Sequence, residues 1–283
     1  MLEIDLEKCI KCGACEKTCP AYVIELDKEV GAIERFPEVC IVCGHCVAVC
    51  PTDAIVHTKM DMSDFKPMED PNISQDQLHQ LIRNRRSVRR YKDKPISDED
   101  MDTILETVKY IPTAENDQAL KYLVINNRET VEEIRANMAS KMIFVQKLLK
   151  VLFFIRPFVP KELKTTLRRM VEKWEERGEG DNEDPFLRTA PTVVIIYAKK
   201  KSTLRLWDAA IASYNMMMSA ETMGISSVWN GVHAIMANSF RSLKRASKVP
   251  KGYKVVGTVC MGYPDIKFRK TISRKPLDIT RID

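Results

Sequence analysis

The chain has 283 residues, 30% charged and 45% hydrophobic, enough apolar content for a packed core in one large domain or two unequal ones. Its net charge of +6 conceals a polarity: residues 1–59 carry six basic and ten acidic side chains, the remainder thirty-nine basic and twenty-nine acidic. No basic stripe with interleaved aromatics is visible and only 7% of residues are aromatic, so no nucleic-acid partner is expected.

The opening "MLEIDLEK" alternates and is acidic, unlike a secretory signal. The most apolar stretch, 143–160, is interrupted by Lys147, Lys150 and Arg156, so no transmembrane segment is expected. The cytoplasm, where thiols stay reduced, is the expected compartment. Eight of the nine cysteines lie between residues 9 and 50, in "CIKCGACEKTCP" (9–20) and "CIVCGHCVAVCP" (40–51). Each loop is flanked by short apolar runs, so the first sixty residues form a near-repeat. Residues 60–74 are polar, hold prolines and read as a linker.

Helical signals resume at Ser74. "SQDQ" has the capping-box form, with Ile73 and Leu78 as a staple and Leu78, Leu81 and Ile82 on one face. "SDED" at Ser97 repeats it, with Met101, Ile104, Leu105 and Val108 as the buried face. Strands are expected at 121–126, 192–198, "ISSVW" and 254–260. Residues 130–178 read as helical with a break at Pro157 and Pro160. Residues 206–224 are apolar almost all round and read as a central buried helix ended by Gly224. The mixture gives an α+β or three-layer α/β class.

The spacing C-x2-C-x2-C-x3-C-P points to iron–sulfur chemistry. A cubane cluster takes four thiolates; three come from one loop, and in two-cluster ferredoxins the fourth comes from the other loop. Cys9, Cys12, Cys15 and Cys50 are therefore expected to hold one cluster, and Cys40, Cys43, Cys46 and Cys19 the other. A disulfide scaffold would need an oxidising compartment, and zinc ribbons use pairs of cysteines rather than runs of four. His45 reads as a surface residue. The head resembles bacterial two-cluster ferredoxins over roughly residues 1–58, which implies two [4Fe-4S] clusters on a βαβ-repeat fold.

Five further motifs follow in order: "RRSVRRY" with "PIS", "IPTAENDQALKYLVI" (111–125), "DPFLRTAPTVVII" (184–196), "MGISSVWNGV" (223–232), and "VCMGYP" with "SRKPL" (273–277). Over about residues 75–280 they resemble the nitroreductase family of FMN enzymes, which implies a three-layer α/β/α domain. The expected layout is a ferredoxin domain at 1–59, a linker at 60–74 and an FMN domain at 75–283. The resemblance implies that Arg85, Arg86, Ser87, Arg89 and Arg274 bind the FMN phosphate and ribityl chain. Pro112, Thr113, Ala114 and Asn116 would reach a flavin held mainly by the other subunit of a homodimer. Asn230 and Gly231 would lie beside the ring, with a backbone N–H facing N5. Ala114, Ala119–Leu120 and Ile272 depart from the family's usual residues and bear on substrate choice. The expected activity is transfer of electrons from a low-potential ferredoxin or NAD(P)H to a small organic acceptor such as a nitroaromatic or quinone. Two alternatives stand: an NAD(P)H-dependent flavoprotein whose clusters pass electrons out to a protein partner, and a non-enzymatic carrier. His233 and Cys260 read as structural, Trp229 as pocket wall or core, and residues 139–180 as a lid or dimer surface.

Overall fold

The computed structural model describes residues 1–151, 159–176, 184–199 and 204–282. Its contacts divide the chain into two units: Met1–Asn72 with Thr113–Gln118, and Ile73–Pro112 with Ala119–Asp283.

The first unit runs β1 (Leu2–Ile4), α1 (Ala14–Thr18), β2 (Ile24–Asp27), β3 (Gly31–Glu34), α2 (His45–Ala48) and β4 (Ile55–His57). β1 pairs antiparallel with β4, and β2 with β3. The repeat seen in the cysteines, Cys9 to Cys40 and Cys19 to Cys50, extends to the backbone. Lys11 and Val42 have φ of 58° and 53°, Gly13 and Gly44 71° and 72°, Tyr22 and Asp53 54° and 49°. Left-handed residues at matching places turn each loop tightly before and after its short helix, and non-glycine residues are strained in that region. At Gly44 the constraint is double: a Cβ there would also stand 2.9 Å from the Phe65 ring. Met62 and Phe65 pack against the small core of Cys15, Ile24, Ala32, Cys46, Val47 and Ile55. The expected linker thus begins as a packed part of this unit, because two of its apolar side chains have a surface on which to leave water.

The second unit comprises α3 (Gln75–Asn84), α4 (Asp98–Glu106), β5 (Lys121–Ile125), α5 (Arg128–Val151), α6 (Lys161–Glu175), β6 (Thr192–Lys199), α7 (Arg205–Thr222), β7 (Ser226–Trp229), α8 (Gly231–Ser239), α9 (Arg241–Ala246) and β8 (Tyr253–Gly262). Its sheet has the order β5-β6-β8-β7, each neighbouring pair antiparallel. β6 shows why the unit has three layers. Val193 and Ile195 enter a core with residues of α5, α6, α8 and α9, while Val194 and Ile196 enter a second core with residues of α4 and α7. Alternate side chains of a strand point to opposite faces, so both faces are covered. Each buried Val or Ile contributes about 1.5–3 kcal/mol.

Both expected caps form. Ser74 accepts from Gln77 N while Gln77 accepts from Ser74 N, and Ser97 accepts from Asp100 N. Met101 and Ile104 are buried as read, but the apolar face of α3 is not: Ile73 is 64% exposed, and Leu78 and Ile82 are both exposed. α7 differs likewise. Ala209, Ala212, Met216 and Ala220 are buried against the sheet, yet Trp207, Ile211 and Tyr214 stand exposed on its other side. A helix apolar all round is expected to be buried all round; within one chain only half of it is covered. Gly224, at φ 71°, closes α7, and Ile225 N–H donates back to Ala220 O at 2.9 Å. The break expected at Pro157 and Pro160 falls between α5 and α6, and Pro157 lies outside the described residues. So does part of the segment read as a lid or dimer surface. No helix among the described residues is long and apolar enough to cross a membrane.

Candidate functional site

The first unit contains two cavities. One is lined by Cys9, Cys12, Cys15 and Cys50, the other by Cys19, Cys40, Cys43 and Cys46. Each gathers three cysteines from one loop and the fourth from the other. None of the nine cysteines forms a disulfide. Backbone donors already point at the crossing sulfurs: Val23 N–H donates to Cys19 Sγ at 3.3 Å and Ala54 N–H to Cys50 Sγ at 3.2 Å. Such donors stabilise thiolate and fit a negatively charged cluster. Burial pushes the Cys15 thiol up and the Cys46 thiol up to about 11. Burial also acts on Cys50, but the N–H groups of Thr52 and Ala54 and the Thr52 hydroxyl outweigh it and bring this thiol below its usual range. Among the described residues no three Cys, His, Asp or Glu side chains converge as a single metal ion requires. His45 is exposed at the start of α2.

Thr113–Gln118 also belongs to this unit. Glu115, Asn116 and Gln118 hold φ of 55°, 51° and 43°. The Asn116 amide donates to Val42 O at 2.7 Å and to Ile41 O at 3.3 Å, in the loop between Cys40 and Cys43. Thr113 Oγ1 accepts from Gln118 N–H, Ala114 is half-buried and Pro112 is exposed.

In the second unit the arginine run is stitched to the edge strand β7. Ser87 bridges to Ser227, and Val88 N–H donates to Ser227 O at 3.1 Å. Arg85 is half-buried, and its Nη1 is shielded from water without a hydrogen-bond partner among the described residues; so is the Ser227 hydroxyl. Orphaned buried donors are costly, and these two stand ready for an acceptor such as phosphate. Arg86 donates from Nη1 to Arg83 O and Arg85 O, while its Nε is buried without a partner among the described residues; exposed Arg89 donates to Ser87 O at 3.2 Å. Arg274 is exposed. Glu221 lies near this cluster; burial raises its pKa, and Arg85 and Arg86 oppose the rise.

Asn230 is engaged structurally. Its N–H donates to Thr258 O at 2.8 Å, its amide donates to Phe186 O at 2.7 Å, and its Oδ1 caps α8 by accepting from His233 N–H. The Gly231 N–H, by contrast, lies at the first residue of α8, where helix geometry provides no intrahelical acceptor. His233 is fully buried between the Thr258 and Ser247 hydroxyls, each at 2.9 Å. The Ser247 hydroxyl donates to Leu243 O, so it accepts from His233 Nε2, and Nδ1 accepts from Thr258. Burial brings this imidazole down to about 4, so it is a neutral structural group. Cys260 is buried and its thiol is pushed up to about 12 by burial. Trp229 is half-exposed and does not fill the core.

Comparison with known proteins adds a decisive match. The model of the nitroreductase family matches residues 82–263. The chain belongs to the nitroreductase family. Ahead of that domain, residues 1–51 match the 4Fe-4S dicluster domain, so a ferredoxin-type head precedes the nitroreductase domain. A protein from Archaeoglobus fulgidus, described provisionally as an NADH dehydrogenase/NAD(P)H nitroreductase, is 25% identical over 65% of this chain and 83% of its own. An iodotyrosine deiodinase from Thermotoga neapolitana is 20% identical over 66% of this chain and 89% of its own. Among solved structures, a nitroreductase with bound FMN from Bacteroides fragilis superposes with a TM-score of 0.55 at 23% identity, covering 72% of this chain and 98% of that one. Another from Desulfitobacterium hafniense gives 0.55 at 20% identity, covering 72% and 97%. These structural likenesses establish the nitroreductase fold of the second unit.

Proposed function

We propose that this nitroreductase is an FMN-dependent oxidoreductase that takes electrons through two [4Fe-4S] clusters and delivers them to a small organic acceptor. The observation that carries the reading is the pair of four-cysteine cavities on the same chain as a nitroreductase fold. Arg85, with an unpartnered buried Nη1, is the group best prepared for the FMN phosphate; Arg86, Ser87, Arg89 and Arg274 supply further charge and donors. The Gly231 N–H would face the ring. Pro112, Thr113, Ala114 and Asn116 would reach a flavin held mainly by a second subunit. The exposed apolar face of α7, with Trp207, Ile211 and Tyr214, is the surface on which such a homodimer would close. Cys9, Cys12, Cys15 and Cys50 would hold one cluster, and Cys19, Cys40, Cys43 and Cys46 the other.

The flavin, when bound, supplies the junction chemistry, exchanging electrons singly or in pairs. The protein's part is to bind, orient and exclude water. His233 is locked neutral and takes no part in proton transfer, so the proton for the acceptor comes from solvent or from the acceptor's own surroundings.

The similarity to a provisionally named NAD(P)H nitroreductase supports a second reading, with nucleotide as donor and the clusters as the way out. Anaerobic stopped-flow bleaching of the flavin with NADH, NADPH and reduced ferredoxin, in separate runs, separates the two. Fast bleaching by ferredoxin is the expected result; fast bleaching by nucleotide alone reverses the direction of flow.

A further inference from the structure

The two cavities are related by the sequence repeat, so their walls can be compared position by position. The crossing sulfurs receive equivalent bonds, Val23 N–H to Cys19 and Ala54 N–H to Cys50. Three lining pairs break the equivalence in polarity, Ala14 with His45, Thr52 with Ala21, and Leu26 with His57, and the last of them places a buried N–H beside a sulfur. Leu26, on β2, lines the first cavity; the residue that repeats it, His57 on β4, lines the second. His57 is 1% exposed. Its Nδ1 accepts from Lys59 N–H at 3.2 Å, which puts the ring proton on Nε2. Nε2 stands 3.7 Å from Cys40 Sγ, within reach of a hydrogen bond to sulfur. The tautomer is fixed by backbone geometry, and so is the target.

We propose that His57 is a positioning residue that raises the reduction potential of the second cluster above that of the first. The inference rests on the reading of the eight cysteines as cluster ligands. Adding one electron to a cluster makes and breaks no bond; it places more negative charge on the sulfurs. A buried N–H aimed at one of them stabilises the charged, reduced state more than the oxidised one, and hydrogen bonds to sulfur are among the determinants of cluster potential. Leu26 offers the first cluster no such donor. The Thr52 hydroxyl, 3.7 Å from Cys50 Sγ, is a weaker counterpart, because Thr52 is only partly buried and its hydroxyl can rotate to water, whereas His57 is buried with its tautomer fixed. An electron shared between the clusters therefore comes to rest on the second, whose loop is also the one that Asn116 holds through Ile41 O and Val42 O.

The test is an anaerobic redox titration of the full chain followed by electron paramagnetic resonance, on the wild type, His57→Leu, His57→Gln and Leu26→His. Iron is measured first. A wild type without about eight irons per chain overturns the cluster reading, and the proposal with it. With iron complete, two unequal midpoints are expected. His57→Leu, which puts the same residue at this pair of positions, lowers the upper midpoint toward the lower one. His57→Gln, which retains an N–H, keeps part of the gap, and Leu26→His raises the lower midpoint. Unchanged midpoints in iron-replete His57→Leu overturn the proposal and leave the cluster reading standing. Should His57→Leu fail to take up iron, the wild type labelled with ¹⁵N-histidine decides. A hyperfine-coupled ring nitrogen in the reduced protein, lost in His57→Gln, supports the bond; no coupled nitrogen, or one that survives in His57→Gln and so belongs to His45, overturns it.

Discussion

At the scale of single residues, the charged groups of the nitroreductase unit divide into those already satisfied and those waiting. Arg89 and the Nη1 of Arg86 are tied to backbone carbonyls, whereas Arg85 Nη1, Arg86 Nε and Ser227 Oγ are buried without partners among the described residues. Arg85→Ala is expected to weaken FMN binding by about 1.5–3 kcal/mol, the worth of a hydrogen bond to a charged group, or roughly ten- to a hundred-fold in Kd. Fluorescence titration of apoprotein with FMN measures it; affinity equal to wild type would move the phosphate elsewhere. His233 gives a second prediction, with a definite sign. Its folded-state pKa of about 4 lies below the ordinary value of 6.5 because burial disfavours the cation. The stability linked to this residue is therefore fully present above the unfolded pKa and is lost as pH falls toward 4. The loss reaches about 2 kcal/mol by pH 5. Denaturant unfolding at pH 7 and pH 5 should show this difference in the wild type. His233→Gln, which cannot gain a proton, should be less stable at pH 7 but lose less on acidification.

Among the elements, the turn that leads into β6 is held by one carboxylate. Asp184 accepts from Phe186 N–H, Leu187 N–H and Thr189 N–H, and pairs with Arg135 Nε of α5 at 2.7 Å, its side chain 5% exposed. Asp184→Ala leaves three amides and the Arg135 Nε without their partner, the guanidinium keeping Glu132 and Ala190 O. It is expected to cost about 3–5 kcal/mol, read as a lower urea midpoint at unchanged slope, while Asp184→Asn, which retains an acceptor, should lose less. The motif around Asp184 was legible in the sequence as a resemblance, but Arg135, forty-nine residues earlier on a helix, carried no signal of its pairing. The same division runs through the molecule. The cysteine loops are legible because three of every four cavity-lining sulfurs come from one short segment, and the caps at Ser74 and Ser97 because their bonds span three residues. Strands β5, β6 and β8 are legible as apolar runs. Asn116 and His57 are not, because long-range register alone brings them to the cysteine loops. The repeat does set Leu26 beside His57, and reading it beyond the cysteines would have exposed the difference. Nor could composition tell that half of α7 and the face of α3 stay uncovered, since a residue's polarity does not say whether the surface it seeks lies in its own chain.

For the whole molecule, the question is why a cysteine-rich head and a nitroreductase body share one chain. A tether raises the effective concentration of one for the other, so that electron transfer need not wait for diffusion. The contact boundaries indicate where the chain can be cut: Met62 and Phe65 belong to the first unit's core, and the second unit begins at Ile73 with the Ser74 cap intact. A chain beginning at Ile73 is expected to fold, since its two cores draw only on residues from Val88 onward, and to bind FMN. One segment should respond. Thr113–Gln118 packs with the first unit, and without it the Asn116 amide loses both carbonyl acceptors while three residues remain in left-handed conformations. Hydrogen exchange should therefore quicken at 113–118 and change little in β6 and β8, which are buried on both faces. In catalysis, reduction of quinones driven by dithionite should persist, and reduction by low-potential ferredoxin should fall away. Equal flavin reduction rates with ferredoxin in the full and shortened chains would mean that the clusters are not the way in, and would favour nucleotide as donor with the clusters carrying electrons out.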